Sequence, residues 1–297
     1  MLAFPDHSRT VSDAARAAPR AKAGPGLLIL VLAASAGLLL FLTLPFLGLL
    51  LRVSPAELIA RLGEPRVLDA LRLSLVTSAA ATLAIVALGT PTAYLLATRD
   101  FRGKRLVEVL VDLPMVLPPT VAGLALLMAF GRMGLAGRAL SALGIQLPFT
   151  TLGVVAAQTF MAAPFFVAAA RAGFAGVDKR LLDAAATLRG SEAFNFVHVV
   201  LPLARPSLVA GIAMSGARAL GEFGATITFA GNLPGTTQTM PLAVYVALQS
   251  DLDTAILLSV LLLIVSLALL LALRSAPSGF LWNRAGPASY RQPSSSA

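Results

Sequence analysis

The sequence contains no cysteine, which excludes disulfide bonds, thiolate metal sites and iron–sulfur clusters. Its two histidines, His7 and His198, lie far apart in the chain, which argues against a histidine metal site. Lysine occurs only at positions 22, 104 and 179, and none of these lysines belongs to the Gly-x-x-x-x-Gly-Lys-Ser/Thr pattern that binds nucleotide phosphates. If ATP drives this protein, another chain must bind it.

Charged residues are scarce as well. They make up 12% of the 297 residues, whereas 57% are hydrophobic, and the mean hydropathy is +0.84. A soluble domain of this size would expose far more charge, so the composition predicts a polytopic membrane protein.

Apolar runs of membrane-spanning length recur along the chain. They predict an all-α protein with about six transmembrane helices, over residues 27–51, 70–98, 106–130, 151–170, 207–230 and 255–273. The first run is longer than the apolar core of a secretory signal, so we expect an uncleaved helix, which with its outer loop occupies residues 27–67. Residues 1–26 are predicted to form a disordered tail, and residues 274–297 a second tail.

The positive charges predict the orientation of these helices. Of the 23 lysines and arginines, 16 lie in residues 1–26, 99–105 and 171–206 and in the C-terminal tail, and five lie in the other three connections. Both termini and the segment 171–206 are therefore predicted to be cytoplasmic. A net charge of +9 also fits nucleic acid binding, but no folded polar domain remains to carry that function.

The segment 171–206 contains a pattern unlike a membrane span. A short helical pattern with small residues on one side is broken by Gly190, and a second apolar patch ends at two prolines. Two short helices at an angle would form a knob that fits a groove on another protein; the alternative is an ordinary amphipathic loop helix.

Two other stretches place helix-breaking or charged residues inside predicted spans. Prolines at positions 114, 118 and 119 remove backbone donors from the third span and kink or unwind it. Arg218 is expected near the centre of the fifth span with Glu222 one turn later, and such charges are costly unless they pair or face water. They either line a hydrophilic path for an anion or form a buried pair that only fixes helix packing. The candidates for the path are Pro118, Pro119, Thr120, Arg218, Glu222 and Thr226.

Residues 231–249 are rich in hydroxyl and amide side chains and fall in the last predicted outer connection, residues 231–254. Together with free backbone N–H groups, these side chains could bind a tetrahedral oxyanion without a metal. The same composition suits a polar loop that docks a partner protein, which is the interpretation we favour.

Four motifs, with their order and spacing along the chain, resemble the permease subunits of molybdate ABC importers, a branch shared with sulfate and tungstate permeases. Three of them are DLPMVLPPTVAG (112–123), RALGEFGATITFAGN (218–232) and PGTTQTMPLAVYVALQ (234–249). The fourth is the stretch 181–206, which resembles the family's "EAA" coupling loop: Glu-Ala-Ala, a Gly six residues on, then Ile-x-Leu-Pro. Asp183 stands for the Glu and is followed by Ala184 and Ala185, and Val199, Leu201 and Pro202 fall in register. Arg189 occupies the usual Gly position, and Gly190 follows one place late. The resemblance implies that these eight residues contact the ATPase.

The resemblance implies a type I ABC importer permease with both termini inside and a permease core over residues 68–273. Such a chain lies in the bacterial cytoplasmic (inner) membrane, in contact with lipid, and is not an enzyme: it binds no cofactor or metal, and a cytosolic ATPase dimer uses ATP and Mg²⁺. The other implied partners are a second permease copy, as a homodimer, and an extracytoplasmic oxyanion-binding protein. The implied substrate is molybdate, with sulfate, thiosulfate or tungstate as alternatives.

A different class, a secondary transporter or channel driven by an ion gradient, would use buried carboxylates or histidines as proton relays, or half-helices in inverted repeats. Glu222 and Asp112 are the candidate carboxylates, and no repeat is visible. A membrane-embedded enzyme would need a nucleophile–base pair or a metal site, and no predicted span contains cysteine or histidine.

Overall fold

The computed structural model describes residues 25–187 and 191–275, and all regular secondary structure within these ranges is helical. The chain divides into two compact units, Met1–Arg52 and Val53–Ala297. The predicted tails lie almost wholly outside the described residues, as do Arg189 and Gly190.

The first unit is represented by one helix, α1 (Pro25–Leu50). It has 26 residues without a charge, and nearly all of its side chains are exposed. At 1.5 Å per residue it is about 39 Å long, more than the hydrocarbon thickness of a bilayer. An apolar helix exposed on all sides has the surface expected of a lipid-facing span, in agreement with the predicted span 27–51.

The second unit is a bundle of long and short helices. The long helices are α3 (Pro65–Thr98), α7 (Thr151–Ala175), α10 (Leu201–Leu220) and α13 (Leu252–Ser275). Shorter helices are α2 (Pro55–Leu62), α4 (Lys104–Val116), α5 (Pro119–Phe130), α6 (Gly137–Ala142), α8 (Lys179–Thr187), α9 (Glu192–Asn195), α11 (Gly224–Ala230) and α12 (Met240–Leu248), with a π-helical segment at Phe196–Val200. Residues 99–103, 176–187 and 191–200 lie at one end, here the coupling end, and residues 131–150 and 231–251 lie at the other, the far end.

Helix α7 is the centre of the bundle, where it packs along both α3 and α10. Small residues permit this close packing: a Cβ atom built on Gly89 would lie 2.8 Å from Phe166, and one on Gly173 would lie 2.5 Å from the Ser207 Cβ. In a bilayer, where burial of apolar surface does not drive helices together, such close van der Waals contact is a main source of association. Thr150 begins α7, because its Oγ1 accepts a hydrogen bond from the Gly153 N–H at 3.1 Å.

Two of the predicted spans are not continuous helices. The third is split into α4 and α5 at Leu117–Pro118, and the fifth into α10 and α11 at residues 221–223. Five helices in the described part of the chain are long and apolar enough to cross a membrane: Gly26–Leu50, Pro65–Thr98, Thr151–Ala175, Glu192–Leu220 and Leu252–Ala272. The first break follows from proline, which lacks an N–H group and disfavours helical backbone in the preceding residue.

The predicted outer connection, residues 231–254, is largely built into the bundle. Residues 240–248 form helix α12, which packs on α13, and Met240 and Leu242 are fully buried. The Met240 N–H donates to the Ser74 Oγ at 2.7 Å and so fixes the start of α12 to α3. The prediction of a loop throughout was wrong because the apolar run Met-Pro-Leu-Ala-Val-Tyr-Val-Ala-Leu supplies a buried face to a short helix whose second residue is proline.

A capping network fixes the start of α13 at the far end. The Asp251 carboxylate accepts hydrogen bonds from the Thr254 hydroxyl and from the backbone N–H groups of Thr254 and Asp253. These bonds, with a smaller contribution from the nearby Arg61 charge, hold the pKa of Asp251 below its usual value. The Arg61 guanidinium in turn donates to the Thr254 hydroxyl at 2.7 Å, which links α2 to α13.

Candidate functional site

Residues 171–175 of the predicted coupling loop, residues 171–206, belong to the end of α7. The described residues that follow them form two helical parts, which together are here called the coupling loop. The first is α8, whose start is capped by Asp178, because its Oδ1 accepts from the Arg180 N–H at 2.9 Å. The second begins at Ser191, whose hydroxyl accepts from the Phe194 N–H, and continues through α9 and the π-helical segment into α10. The prediction that this second part ends at Pro202 and Pro206 was wrong. Pro202 lies in the first turn of α10, where a missing N–H is tolerated, Pro206 lies inside the same helix, and the helix runs on into the bundle.

The residues expected to contact a partner differ in exposure. Asp183 and Pro202 are exposed, whereas Ala185, Val199 and Leu201 are half-buried. The helical position of Ala184 agrees with the prediction, but its side chain, like Arg189 and Gly190, lies outside what the structure describes.

A half-open cavity of about 380 Å³ lies beside α8 at the coupling end. Asp183 and Leu182 form one wall, and the ends of α3, α4 and α7 form the others through Thr98, Lys104 and Phe174. Asp183 therefore lines a recess between the predicted coupling loop and the rest of the bundle.

The two helix breaks meet. A Cβ atom on Gly224, the first residue of α11, would lie 2.6 Å from the Pro119 Cβ and 3.4 Å from the Thr120 nitrogen, at the start of α5. One turn further on, a Cβ atom on Gly123 would lie 2.8 Å from the Ala225 carbonyl oxygen. Half-helices α5 and α11 thus begin at the same level and pack side by side without room for larger residues. Broken helices within a membrane are tolerated where the freed backbone is buried in protein or lines a cavity.

Arg218 and Glu222 lie at the second break, not at the centre of a continuous helix as predicted. Arg218 is in the last turn of α10, where a cation interacts favourably with the helix C-terminus. Glu222 is 1% exposed; its Oε2 lies 2.5 Å from the Arg218 Nη1. The other carboxylate oxygen accepts a hydrogen bond from the Ala225 N–H of α11 at 2.9 Å. The carboxylate therefore connects the end of one half-helix to the start of the next.

The predicted path residues fall into two groups. Pro118, Pro119 and Thr120 are exposed on the single chain, and Arg218 is partly exposed. Glu222 and Thr226 are buried, and the Thr226 hydroxyl makes no hydrogen bond within the described ranges. The structure thus brings all six residues to the two breaks but leaves only the first four accessible.

Gln158 is a buried polar residue that the sequence did not point to. Gln158 on α7 is fully buried, and neither its amide nitrogen nor its oxygen has a hydrogen-bond partner among residues 25–187 and 191–275. Its neighbours Ala157 and Met161 pack on α5 and α11, so the amide lies inside the bundle. The available signal was a lone amide side chain in the largely apolar run Val-Val-Ala-Ala-Gln-Thr-Phe-Met.

The predicted docking segment at the far end is smaller than expected. Thr237 and Thr239 are fully buried, and the Thr237 hydroxyl accepts from the Leu233 N–H at 2.8 Å. Only residues 233–236 of the turn are exposed. In the part of the chain that the structure describes, no three histidine, aspartate or glutamate side chains come together as a metal site would require.

Comparison with known proteins identifies the family. Residues 89–276 match the family described as binding-protein-dependent transport system inner membrane component. The molybdenum transport system permease protein ModB of Mycobacterium tuberculosis is 44% identical over 77% of this chain and 86% of its own length. ModB of Escherichia coli K12 is 42% identical over 61% of this chain and 80% of its own.

Solved structures share the fold. A chain of a bacterial ABC transporter that imports the acidic polysaccharide alginate superposes with a TM-score of 0.69 at 15% identity, covering 90% of this chain and 97% of that one. A chain of the MetNI methionine ABC transporter gives a TM-score of 0.55 at 17% identity, covering 70% of this chain and 93% of that one. The predicted ABC importer permease fold is confirmed. The chain belongs to the family of binding-protein-dependent transport system inner membrane components, as a multi-pass permease subunit of an ABC importer in the inner membrane.

Proposed function

We propose that this chain forms the membrane path of an ATP-driven importer for a tetrahedral oxyanion, and that the oxyanion is molybdate. The observation that supports molybdate as the substrate is the 44% identity to a molybdenum transport permease over most of both chains. Tungstate and sulfate have the same charge and shape, and they are the substrates against which molybdate must be tested.

The ATP would be used, with Mg²⁺, by a separate cytosolic ATPase dimer, because this sequence lacks a phosphate-binding loop. An extracytoplasmic binding protein would deliver the oxyanion, and two copies of this chain would enclose the path. Closure of the ATPase dimer would then push two coupling loops together and move the bundle between inward-open and outward-open states.

The meeting of the two helix breaks supports a path along this part of the bundle. Pro118, Pro119 and Thr120 offer exposed backbone at the break, and Arg218 places a partly exposed positive charge beside it. Because a dianion is costly to bring into a membrane, a cation at this depth would lower the barrier to its passage. Glu222 would hold the Arg218 side chain, and Thr226 is buried on the half-helix that follows.

The coupling end would face the cytoplasm, since the positive charges are concentrated there. A reporter that is active only outside the cytoplasm tests this orientation. Fusions after Arg138 or Asp251 should be active, and fusions after Arg102 or Glu192 should be silent. The reverse pattern would contradict the proposed orientation.

Uptake into vesicles tests the transport function directly. The chain, its ATPase and its binding protein should take up labelled molybdate when ATP is supplied, and an excess of sulfate should compete weakly. Uptake that persists without ATP and collapses with a proton ionophore would favour the secondary transporter instead. Uptake of sulfate in preference to molybdate would keep the importer but overturn the proposed substrate.

A further inference from the structure

Three aromatic rings join the predicted coupling loop to the rest of the bundle. Tyr94 on α3, Phe174 on α7 and Phe196 in the π-helical segment form this aromatic cluster. The ring centroids of Tyr94 and Phe196 are 4.7 Å apart, and those of Tyr94 and Phe174 are 5.6 Å apart in an edge-to-face arrangement. These are favourable separations and orientations for aromatic pairs.

Both parts of the coupling loop pack against one apolar cluster at the ends of α3 and α7. Leu182 from α8 and Val200 from the π-helical segment belong with Phe174 to one apolar cluster of the core. The last turns of α3 also contribute to it, through Ala93 and Leu96. The loop is therefore seated on the ends of α3 and α7.

The π-helical segment determines which side chains face inward. The Leu201 N–H bonds to the Phe196 carbonyl, five residues back, so the turn is wider than an α-helical turn. Phe196 and Val200 lie on its inner side, whereas Phe194 is 53% exposed and stacks on the His198 ring at 4.1 Å. One loop thus carries an aromatic residue bound to the bundle and another that is exposed.

Helix α3 depends on these contacts for its connection to the coupling loop more than α7 and α10 do. The loop continues directly into α10 and is joined to α7 by residues 176–178, but α3 has no nearby covalent connection to it. The Arg99–Glu192 ion pair also links the loop to the chain that follows α3, but its side chains are 60% and 87% exposed. An ion pair so exposed to water contributes little. The rings of Tyr94 and Phe196 are the better-shielded contact.

We propose that the Tyr94–Phe196 contact transmits movement of the coupling loop to α3, with Phe196 as a positioning residue. This inference rests on the proposed ATP-driven import. When the ATPase moves the loop, the ring contact makes α3 move with α10, and the two sides of the bundle change state together. Without it, α3 would follow the loop only through its packing against α7 and α10, and less of the ATP-driven movement would reach it.

Two alanine variants test this role in the complete transporter. Phe196→Ala should still co-purify with the ATPase and hydrolyse ATP, but molybdate uptake per ATP should fall roughly tenfold or more, the size of an ordinary coupling between sites. Phe194→Ala, in the same loop but outside the aromatic cluster, should keep the wild-type ratio of uptake to hydrolysis. An unchanged ratio in Phe196→Ala would overturn the proposal.

A cross-link provides a test that does not depend on the stability of the alanine variant. The chain lacks cysteine, so the double variant Tyr94→Cys/Phe196→Cys has only the two introduced thiols. In the reduced form it should hydrolyse ATP with little uptake, and a short bifunctional thiol reagent should restore uptake because the two positions are meant to move as one. A cross-link that blocks uptake, or full uptake by the reduced form, would overturn the proposal. If the wild-type transporter shows no ATP-dependent uptake, the proposed function is overturned as well. If the wild type transports and Phe196→Ala keeps the wild-type ratio of uptake to hydrolysis, only the proposed role of the Tyr94–Phe196 contact is overturned.

Discussion

If the Arg218–Glu222 pair holds the second helix break together, it makes a measurable contribution to the free energy of unfolding. The Glu222 carboxylate is almost fully buried and interacts with the Arg218 guanidinium on one oxygen and the Ala225 N–H on the other. Arg218→Met would leave a buried carboxylate with a single hydrogen bond. Removing one partner of a buried ion pair costs about 3–5 kcal/mol. Because the Arg218 side chain is 27% exposed and water reaches the pair in part, we expect the lower limit, about 3 kcal/mol.

Two double variants separate charge from hydrogen bonding. Arg218→Met/Glu222→Gln removes both charges and keeps a carbonyl oxygen for the Ala225 N–H, but it buries the amide NH2 group without an acceptor, so its cost should be about 1–3 kcal/mol. Arg218→Met/Glu222→Leu also removes that acceptor and should cost about 1–3 kcal/mol. The single variant should therefore be the least stable of the three.

Thermal unfolding of the purified transporter measures this order. With roughly 2–4 °C of midpoint shift per kcal/mol for a chain of this size, Arg218→Met should unfold about 6–12 °C below wild type. The Glu222→Gln double variant should recover part of that loss, because it leaves no buried charge. A single variant as stable as this double variant would refute the view that Glu222 depends on Arg218. In uptake assays both double variants should bind the ATPase but transport poorly, because the path has lost its positive charge; full transport would leave the pair as a structural element only.

The coupling loop and the meeting of the helix breaks give two further predictions. Ala185→Glu should leave the protein in the membrane and abolish both uptake and ATPase co-purification, because a bulky charge prevents close approach; normal co-purification would exclude this face as the docking surface. Gly224→Ala should lower the free energy of unfolding by about 1–3 kcal/mol, since its Cβ would lie 2.6 Å from that of Pro119. The matched control, Gly221→Ala, meets only the Ala217 carbonyl oxygen at 3.6 Å and should be nearly neutral in the same unfolding assay.

The sequence predicted the membrane class and most spans correctly, because long apolar runs leave few other structures open to them. Spans 27–51, 70–98, 151–170 and 255–273 all appear as helices, somewhat longer than predicted at several ends. Hydropathy alone misjudged the segments interrupted by short breaks. The run 207–230 reads as one apolar stretch, yet the chain turns at residues 221–223, where the Glu222 carboxylate accepts a hydrogen bond from the Ala225 N–H of the next half-helix.

The sequence by itself also determined the family, because its four motifs are local patterns that need no fold to be recognised. Only the tertiary structure decided which of them meet. Pro119 and Gly224 are more than a hundred residues apart and are in contact because α5 and α11 pack side by side. Likewise, nothing near Tyr94 indicates that its ring would face Phe196. Such contacts depend on how far each helix is rotated and how deep it lies relative to its neighbours. The packing of small residues across the whole bundle sets this rotation and depth, so no single segment encodes them.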